Sequence, residues 1–492
     1  MHLTQPQRLL KLGRTGLAAL VALVRRLEAL VGKLRRQLGI LHGRVRDLER
    51  QLKELKARLA LNSANSGKPP SSDGLAKPAP KPKSLRVRTG RRPGGQTGHP
   101  GRTLQPVTKP DQVQVHKLDR CNCGACRGVS LRAQPVLDYQ QRQVFELPQK
   151  PLEVTEHQAE IKRCPVSGRL VTAAFPGGVT APAQYGPRFL AQLVYLNDQH
   201  FIPYQRLTQI CQDLYGQPLS EATIAAANQR AYEHLAPFEQ TLRELLPQAP
   251  VNHCDESGLR VAKTLHWLHV VSNANLTFYG VHPKRGSEAM DALGILPRCK
   301  NWLIHDHWKP YFTYDHCRHA LCNEHHLREL KFLHEEQRED WARPMSDFLL
   351  RCLARRKDFG VLNEQQFKQV HAEYRAILRQ GRRRHPRRAD GAAQSKAANL
   401  LDRLEDFDLN VLAFTIFAEV PFTNNVAERD IRMEKTRQKV SGCFRTLHGA
   451  RSFARIRSYI STCRKQNQNI LDALEKAIAG RPFIPSAPPA GP

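Results

Sequence analysis

Residues 17–59 carry an unbroken apolar series: Leu17, Leu20, Val24, Leu27, Val31, Leu34, Leu38, Leu41, Val45, Leu48, Leu52, Leu55 and Leu59. The steps alternate three and four throughout. That is the coiled-coil period, and it commits the segment to one long helix with a narrow apolar seam. Val recurs at the first core position and Leu dominates the second, a pairing that favours a parallel dimer, with Arg44 and Glu49 at flanking positions that pair across it. Residues 1–61 are therefore expected to form a coiled coil, and the chain a homodimer or higher oligomer.

The helix is predicted to stop at Asn62-Ser63. Residues 62–110, with NSANSGKPPSSDG (62–74) and TGRRPGGQTGHPG (89–101), are too rich in Pro, Gly, Ser and Lys to bury a core and read as a flexible basic linker. The G-x-x-x-x-G-K-[ST] spacing of a phosphate-binding loop is absent. Met1 to Lys109 hold 24 Lys and Arg against 5 Asp and Glu, a net of +19, within a chain of net charge +31. Self-repulsion on this scale does nothing for folding and points to a polyanionic partner. A further basic cluster comprises Arg382, Arg383, Arg384, Arg387 and Arg388. No run of eighteen apolar residues or secretory pattern occurs, so a cytoplasmic protein is expected.

Twelve cysteines in so long a chain do not suggest a disulfide framework. Eight are scattered and expected to be reduced core residues. Cys121, Cys123, Cys126 and Cys164 fall in a small module, 111–180, with short strands expected in RQVFELP (142–148) and VTEHQAEIKR (154–163). Residues 187–247 read as helices. Tyr204–Tyr215 forms one, Gly216-Gln217-Pro218-Leu219 a turn, and Ser220 the N-cap of the next, with Glu221 in its first turn. Helix, short glycine-containing turn and helix resemble a DNA-binding helix-turn-helix, a shape that also serves as a plain packing unit.

From Val251 the pattern changes to strands, at 251–262, 265–273, 276–282 and 301–306, with a short helix at Ser287–Leu293. Residues 315–415 read as mostly helical, and a long basic helical stretch runs from Pro421 to about Ala479, with 466–492 a C-terminal helix and tail. Asp255 lies at the end of the first strand, Asp306 ends a later one, and Glu428 starts a helix in NNVAERDIR (424–432). Acid on strand, acid on strand and acid on helix is the order of a ribonuclease-H-like fold, expected over 250–465 with a helical insertion at about 330–415. Three carboxylates can hold two divalent cations about 4 Å apart, one activating an attacking oxygen and one stabilising the leaving oxygen at a phosphodiester. All-oxygen ligands suit Mg²⁺ or Mn²⁺. Glu428 has a rival role, because Asn425 three residues before it gives the N-x-x-E spacing of a capping box.

These residues sit in longer phrases: HCDESGLRVAKTLHWLHV (253–270), HDHWKPY (305–311), CNEHHLREL (322–330) and VPFTNNVAERDIRMEKTRQKVSGCFRT (420–446). Together with the coiled-coil start, the linker and the cysteine module, they make nearly the whole chain resemble the transposases of the insertion sequence 66 family. The resemblance implies a catalytic acid triad at Asp255, Asp306 and Glu428. The separations are 51 and 122 residues, the second accommodating the family's helical insertion. It implies metal-dependent cleavage and strand transfer on DNA, both element ends and target, by a bacterial, nucleoid-associated protein assisted by accessory proteins of the same element. It also implies zinc on two C-x-x-C pairs. Here Cys123 and Cys126 supply one pair, while Cys164 is followed by Ser167 where the other Cys belongs; either Cys121 substitutes or the site is degenerate. Cys322 and His325 form a C-x-x-H similar to a recurring motif of such enzymes, read here as structural support. Arg429, Arg432, Lys435, Arg437 and Lys439 flank Glu428 and are expected to neutralise DNA phosphates. The alternative is a DNA-binding protein that has lost catalysis, which would leave linker and coiled coil unchanged.

Overall fold

The computed structural model describes residues 5–60, 107–121, 129–145, 152–163, 165–167, 169–387 and 394–486. The linker segment 61–106, Cys123, Cys126, Cys164 and Arg388 lie outside the described residues. The chain divides into two compact units, one of Met1–Pro82, Tyr185–Tyr204 and Ala222–Pro492, the other of Lys83–Gln184 and Gln205–Glu221.

The heptad segment is one helix, α1 (Gln5–Ala60). Its seam, from Val24 and Leu27 through Leu48 and Leu52, is about half exposed along its length. In the smaller unit the expected strands are mostly irregular backbone. Residues 142–145 form no strand, and of 154–163 only β1 (Ile161–Arg163) does, paired antiparallel with β2 (Leu170–Thr172). Both strands are exposed on all their residues, so neither apolar alternation had a core to bury against.

The helical region follows as α2 (Pro187–Val194), α3 (Tyr204–Tyr215), α4 (Glu221–His234) and α5 (Ala236–Leu245). After it come β3 (Val251–Val261), β4 (Thr264–Ser272), β5 (Thr277–His282), α6 (Ser287–Leu293), β6 (Trp302–His305) and β7 (Arg318–Leu321). The last is a strand where helix was expected. These five strands form one mixed sheet in the order β5-β4-β3-β6-β7. β3, β4 and β5 are antiparallel neighbours, whereas β6 and β7 run parallel to β3.

Remaining helices are α7 (Asn323–Gln337), α8 (Ala342–Phe359), α9 (Glu364–Arg384), α10 (Lys396–Asp406), α11 (Asp408–Leu412), α12 (Asn425–Ser441), α13 (Leu447–Lys465) and α14 (Ile470–Ile478). Strand alternation sorts the sheet's side chains onto two faces. Cys254, Val271, Phe278 and Leu303 pack on one with Phe238 and Leu242 of α5, Met290 of α6 and residues of α14. Leu268, Val270, Tyr279 and Val281 pack on the other with Ala427 and Ile431 of α12. The free edge of β5 is closed by hydroxyls of α13: Thr277 N–H donates to Thr462 Oγ1 (3.0 Å) and Tyr279 N–H to Ser458 Oγ (2.8 Å). Helices α7 to α11 build a separate core onto Ile304, Ala320 and Leu321. On its surface, three members of the expected basic cluster are ion-paired. Arg382 pairs with Asp402 (2.5 Å) and Glu405 (2.7 Å), Arg384 with Asp340 (3.0 Å), and Arg387 with Asp406.

Candidate functional site

β3 runs through the middle of the sheet, and its register fixes which way each acid points. Asp255 pairs with Val270, so it shares the face covered by α12; Glu256 pairs with His269 and points to the opposite face. Asp306 follows β6, the parallel neighbour of β3, directly after His305. The chain turns sharply there: His307 adopts φ 76°, a left-handed conformation uncommon for a non-glycine residue, and Trp308 N–H donates to Asp306 Oδ1 (3.0 Å). His305 anchors the turn. It is fully buried and stacks on Tyr311. His319 Nε2 meets Tyr314 O (3.0 Å), a carbonyl that can only accept. His319 Nδ1 therefore accepts from His305 Nε2 (3.1 Å), which leaves His305 Nδ1 to accept from His307 N–H (3.3 Å). Burial holds His305 well below its ordinary pKa, so this chain is neutral.

Glu428 stands in the first turn of α12, and the capping box does not form. The helix starts at Asn425, with Asn424 as N-cap making no side-chain cap bond. Asn424 instead holds three elements together. Its Oδ1 meets His253 Nδ1 on β3 (2.9 Å), its Nδ2 donates to Cys254 O (2.8 Å), and its backbone N–H donates to Cys322 Sγ at the start of α7 (3.1 Å). The carboxylate of Glu428 is thereby set among Cys322 Sγ (3.6 Å), His325 Nδ1 (3.6 Å) and Arg328 Nη2 (3.9 Å).

The electrostatics tie the acids to one place. Asp255 has a pKa well above the ordinary carboxylate value, first because of burial, then because of the charges of Glu256, Asp306 and Glu428. Burial also raises Asp306, against the Trp308 amide and the Arg285 and Arg403 guanidinium groups. Glu256 is a fourth acid, beyond the three expected from sequence. It is buried and fully engaged: Arg285 donates to Oε1 from Nε (2.9 Å) and Nη2 (2.6 Å), and Tyr311 O–H donates to Oε2 (2.5 Å). Arg285 lies against the rings of Trp308 (4.1 Å) and Trp267 (4.8 Å). The acidic doublet Asp255-Glu256 was the available signal; on a strand its members necessarily serve opposite faces.

Of the five basic residues around Glu428, Arg429, Arg432 and Lys439 are exposed. The other two turn inward. Lys435 Nζ donates to Gly258 O (3.2 Å), while Arg437 donates to Gly442 O (3.1 Å) and covers the Phe444 ring. Burial lowers the pKa of both. Seven of the eight scattered cysteines are buried, and Cys443 is exposed.

The site therefore belongs to a mixed α/β unit whose central sheet and one covering helix put Asp306 and Glu428 near enough to raise the Asp255 carboxyl, while the group among the described residues whose ligand atoms lie close enough to hold one metal ion is Cys322, His325 and Glu428. The family model described as transposase IS66 family matches residues 182–452, over half of the chain and all three carboxylates. The chain belongs to that family, which makes it a DNA-processing enzyme of the transposase class with DNA as its partner. A second model, of a family of unknown function, matches residues 19–105. No curated protein matches the chain. Among the described residues no helix is long and apolar enough to cross a membrane.

Proposed function

We propose that the protein cleaves the ends of an insertion-sequence element and joins them to target DNA, using Asp255, Asp306 and Glu428 as the metal-holding carboxylates of a ribonuclease-H-like domain. The observation that carries this reading is the placement of the acids, with Asp255 on β3, Asp306 directly after the neighbouring β6 and Glu428 in the first turn of α12, the helix that covers the Asp255 face of the sheet; burial and the nearby carboxylates accordingly raise the Asp255 carboxyl. Negative charge concentrated in a half-buried place favours a counter-cation over solvent. The donor set offered by the three acids is oxygen only, which fits Mg²⁺ or Mn²⁺. The sheet order supports the fold assignment, with three antiparallel strands continued by two parallel ones, one acid on the first strand in chain order and another directly after the fourth.

When bound, the metal pair supplies charge stabilisation to the attacking and leaving oxygens of a phosphodiester. The chain's own groups define where that happens. The His307 turn aims Asp306 off the end of β6, and Asn424 fixes α12 against β3 so that Glu428 faces its partners. Exposed Arg429 and Arg432 lie on the same helix as Glu428 and suit the flanking DNA phosphates. No covalent protein–DNA intermediate is required, so the site has no need of a Ser or Tyr nucleophile. The α1 seam supports a dimer that would hold two element ends. The test is cleavage of DNA carrying the element's own ends, with cleavage expected in Mg²⁺ and none in EDTA. Equal cleavage in both would overturn the reading.

A further inference from the structure

The partners of Glu428 are unusual for an oxygen-only metal site. Cys322, at the N-cap of α7, and His325, one turn later, converge on it, and one ligand atom from each of the three residues lies within 4.8 Å of the others. Cys322 Sγ and His325 Nδ1 are each 3.6 Å from Glu428 Oε1. A tetrahedral zinc ion at about 2.3 Å from sulfur and about 2.0–2.1 Å from nitrogen or oxygen sets ligand separations of roughly 3.4–3.6 Å. His325 Nδ1 is buried and has no hydrogen-bond partner among the described residues, so its lone pair can ligate. The Asn424 backbone N–H donates to Cys322 Sγ and holds the sulfur in place at the start of α7, facing Glu428. Thiolate and imidazole select borderline-soft cations over Mg²⁺.

We propose that Cys322, His325 and Glu428 form a zinc site with an open fourth position, and that zinc bound there withdraws Glu428 from the cleavage site and silences it. On binding, the Cys322 thiol proton passes to solvent as the sulfur–zinc bond forms. Arg328, 3.9 Å from Glu428, is the cation that zinc displaces as its partner. The silencing half rests on the role proposed above for Glu428; the zinc site itself does not.

The test uses the full chain with Cys123→Ser and Cys126→Ser, which removes the C-x-x-C thiols of the cysteine module, and cobalt(II) as the probe. Cobalt should give a near-ultraviolet sulfur-to-metal charge-transfer band that one equivalent of zinc displaces. Adding Cys322→Ser should abolish the band, and His325→Gln should weaken zinc binding by at least the ~10–100-fold that losing even an outer-shell partner costs. Circular dichroism establishes that each variant is folded, and His325→Gln decides the question should Cys322→Ser fail to fold. No band in the starting background, or a band indifferent to both substitutions, overturns the site. For silencing, zinc should abolish Mg²⁺-driven cleavage by the wild type, while Cys322→Ser keeps its own zinc-free rate when zinc is added. Cobalt binding without zinc inhibition overturns the switch alone. Normal cleavage by Glu428→Gln would instead overturn the catalytic assignment and leave the cobalt result standing.

Discussion

Glu434 is the other acid on α12, and it offers a quantitative test of how that helix is seated. The residue is fully buried; Oε1 accepts from Gln438 Nε2 (3.2 Å), while Oε2 has no partner among the described residues. Burial raises its pKa from the ordinary 4.5 to about 7, outweighing the nearby Arg437 and Lys435 charges. A carboxyl whose pKa rises on folding opposes folding once ionised. The opposing contribution is absent below about 4.5 and complete above about 7. At ~1.4 kcal/mol for each tenfold change in proton affinity, the difference is on the order of 3 kcal/mol. Glu434→Gln keeps the volume and the bond to Gln438 while removing the ionisation. Urea unfolding should therefore show the variant more stable than wild type by about 3 kcal/mol at pH 8 and equal to it at pH 4. A destabilised variant at pH 8 would mean instead that Arg437 holds Glu434 ionised in the fold.

Asp255→Asn should stabilise the metal-free protein at neutral pH, since its raised carboxyl pKa opposes folding above the ordinary 3.8, and it should remove stabilisation by Mn²⁺; paired thermal melts with and without metal check both. Deleting residues 1–61 should halve the mass measured by light scattering or reduce it further, because the exposed α1 seam is then gone; an unchanged mass would place oligomerisation elsewhere. Removing residues 1–109, with their net +19, should flatten the dependence of log DNA affinity on log salt, and an unaltered slope would locate the phosphate contacts on the remaining helices.

Local periodicity made much of the fold legible. The helices Tyr204–Tyr215 and Ser287–Leu293 have the bounds expected from sequence, and the strands carrying Asp255 and leading to Asp306 lie within a residue or two of expectation. β7 was missed because its four residues, buried at three positions and paired in parallel with β6, show no period-two alternation and stand beside a long helix. The N-x-x-E spacing predicted a cap, but Asn424 is held by His253 and Cys254, far away in sequence, so the helix begins without one. Tertiary contact likewise decides which α12 cations meet solvent. Lys435 and Arg437 look like their exposed neighbours in sequence, yet both are drawn onto Gly258, Gly442 and Phe444. Glu256 escaped notice for the same reason, since Tyr311 and Arg285 reach it from 55 and 29 residues away.

The role proposed for Glu428, with Asp255 and Asp306, is to hold the cleavage metals. Its most direct test is single-turnover cleavage of element-end DNA in Mg²⁺ by Glu428→Gln beside Glu434→Gln. Both substitutions remove a carboxylate from the same helix, six residues apart. Glu428→Gln should bind DNA and melt like wild type without metal, yet cleave slower by several orders of magnitude, while Glu434→Gln cleaves normally. Near-wild-type cleavage by Glu428→Gln, with the loss falling on Glu434→Gln instead, would contradict it and move the third acid to Glu434.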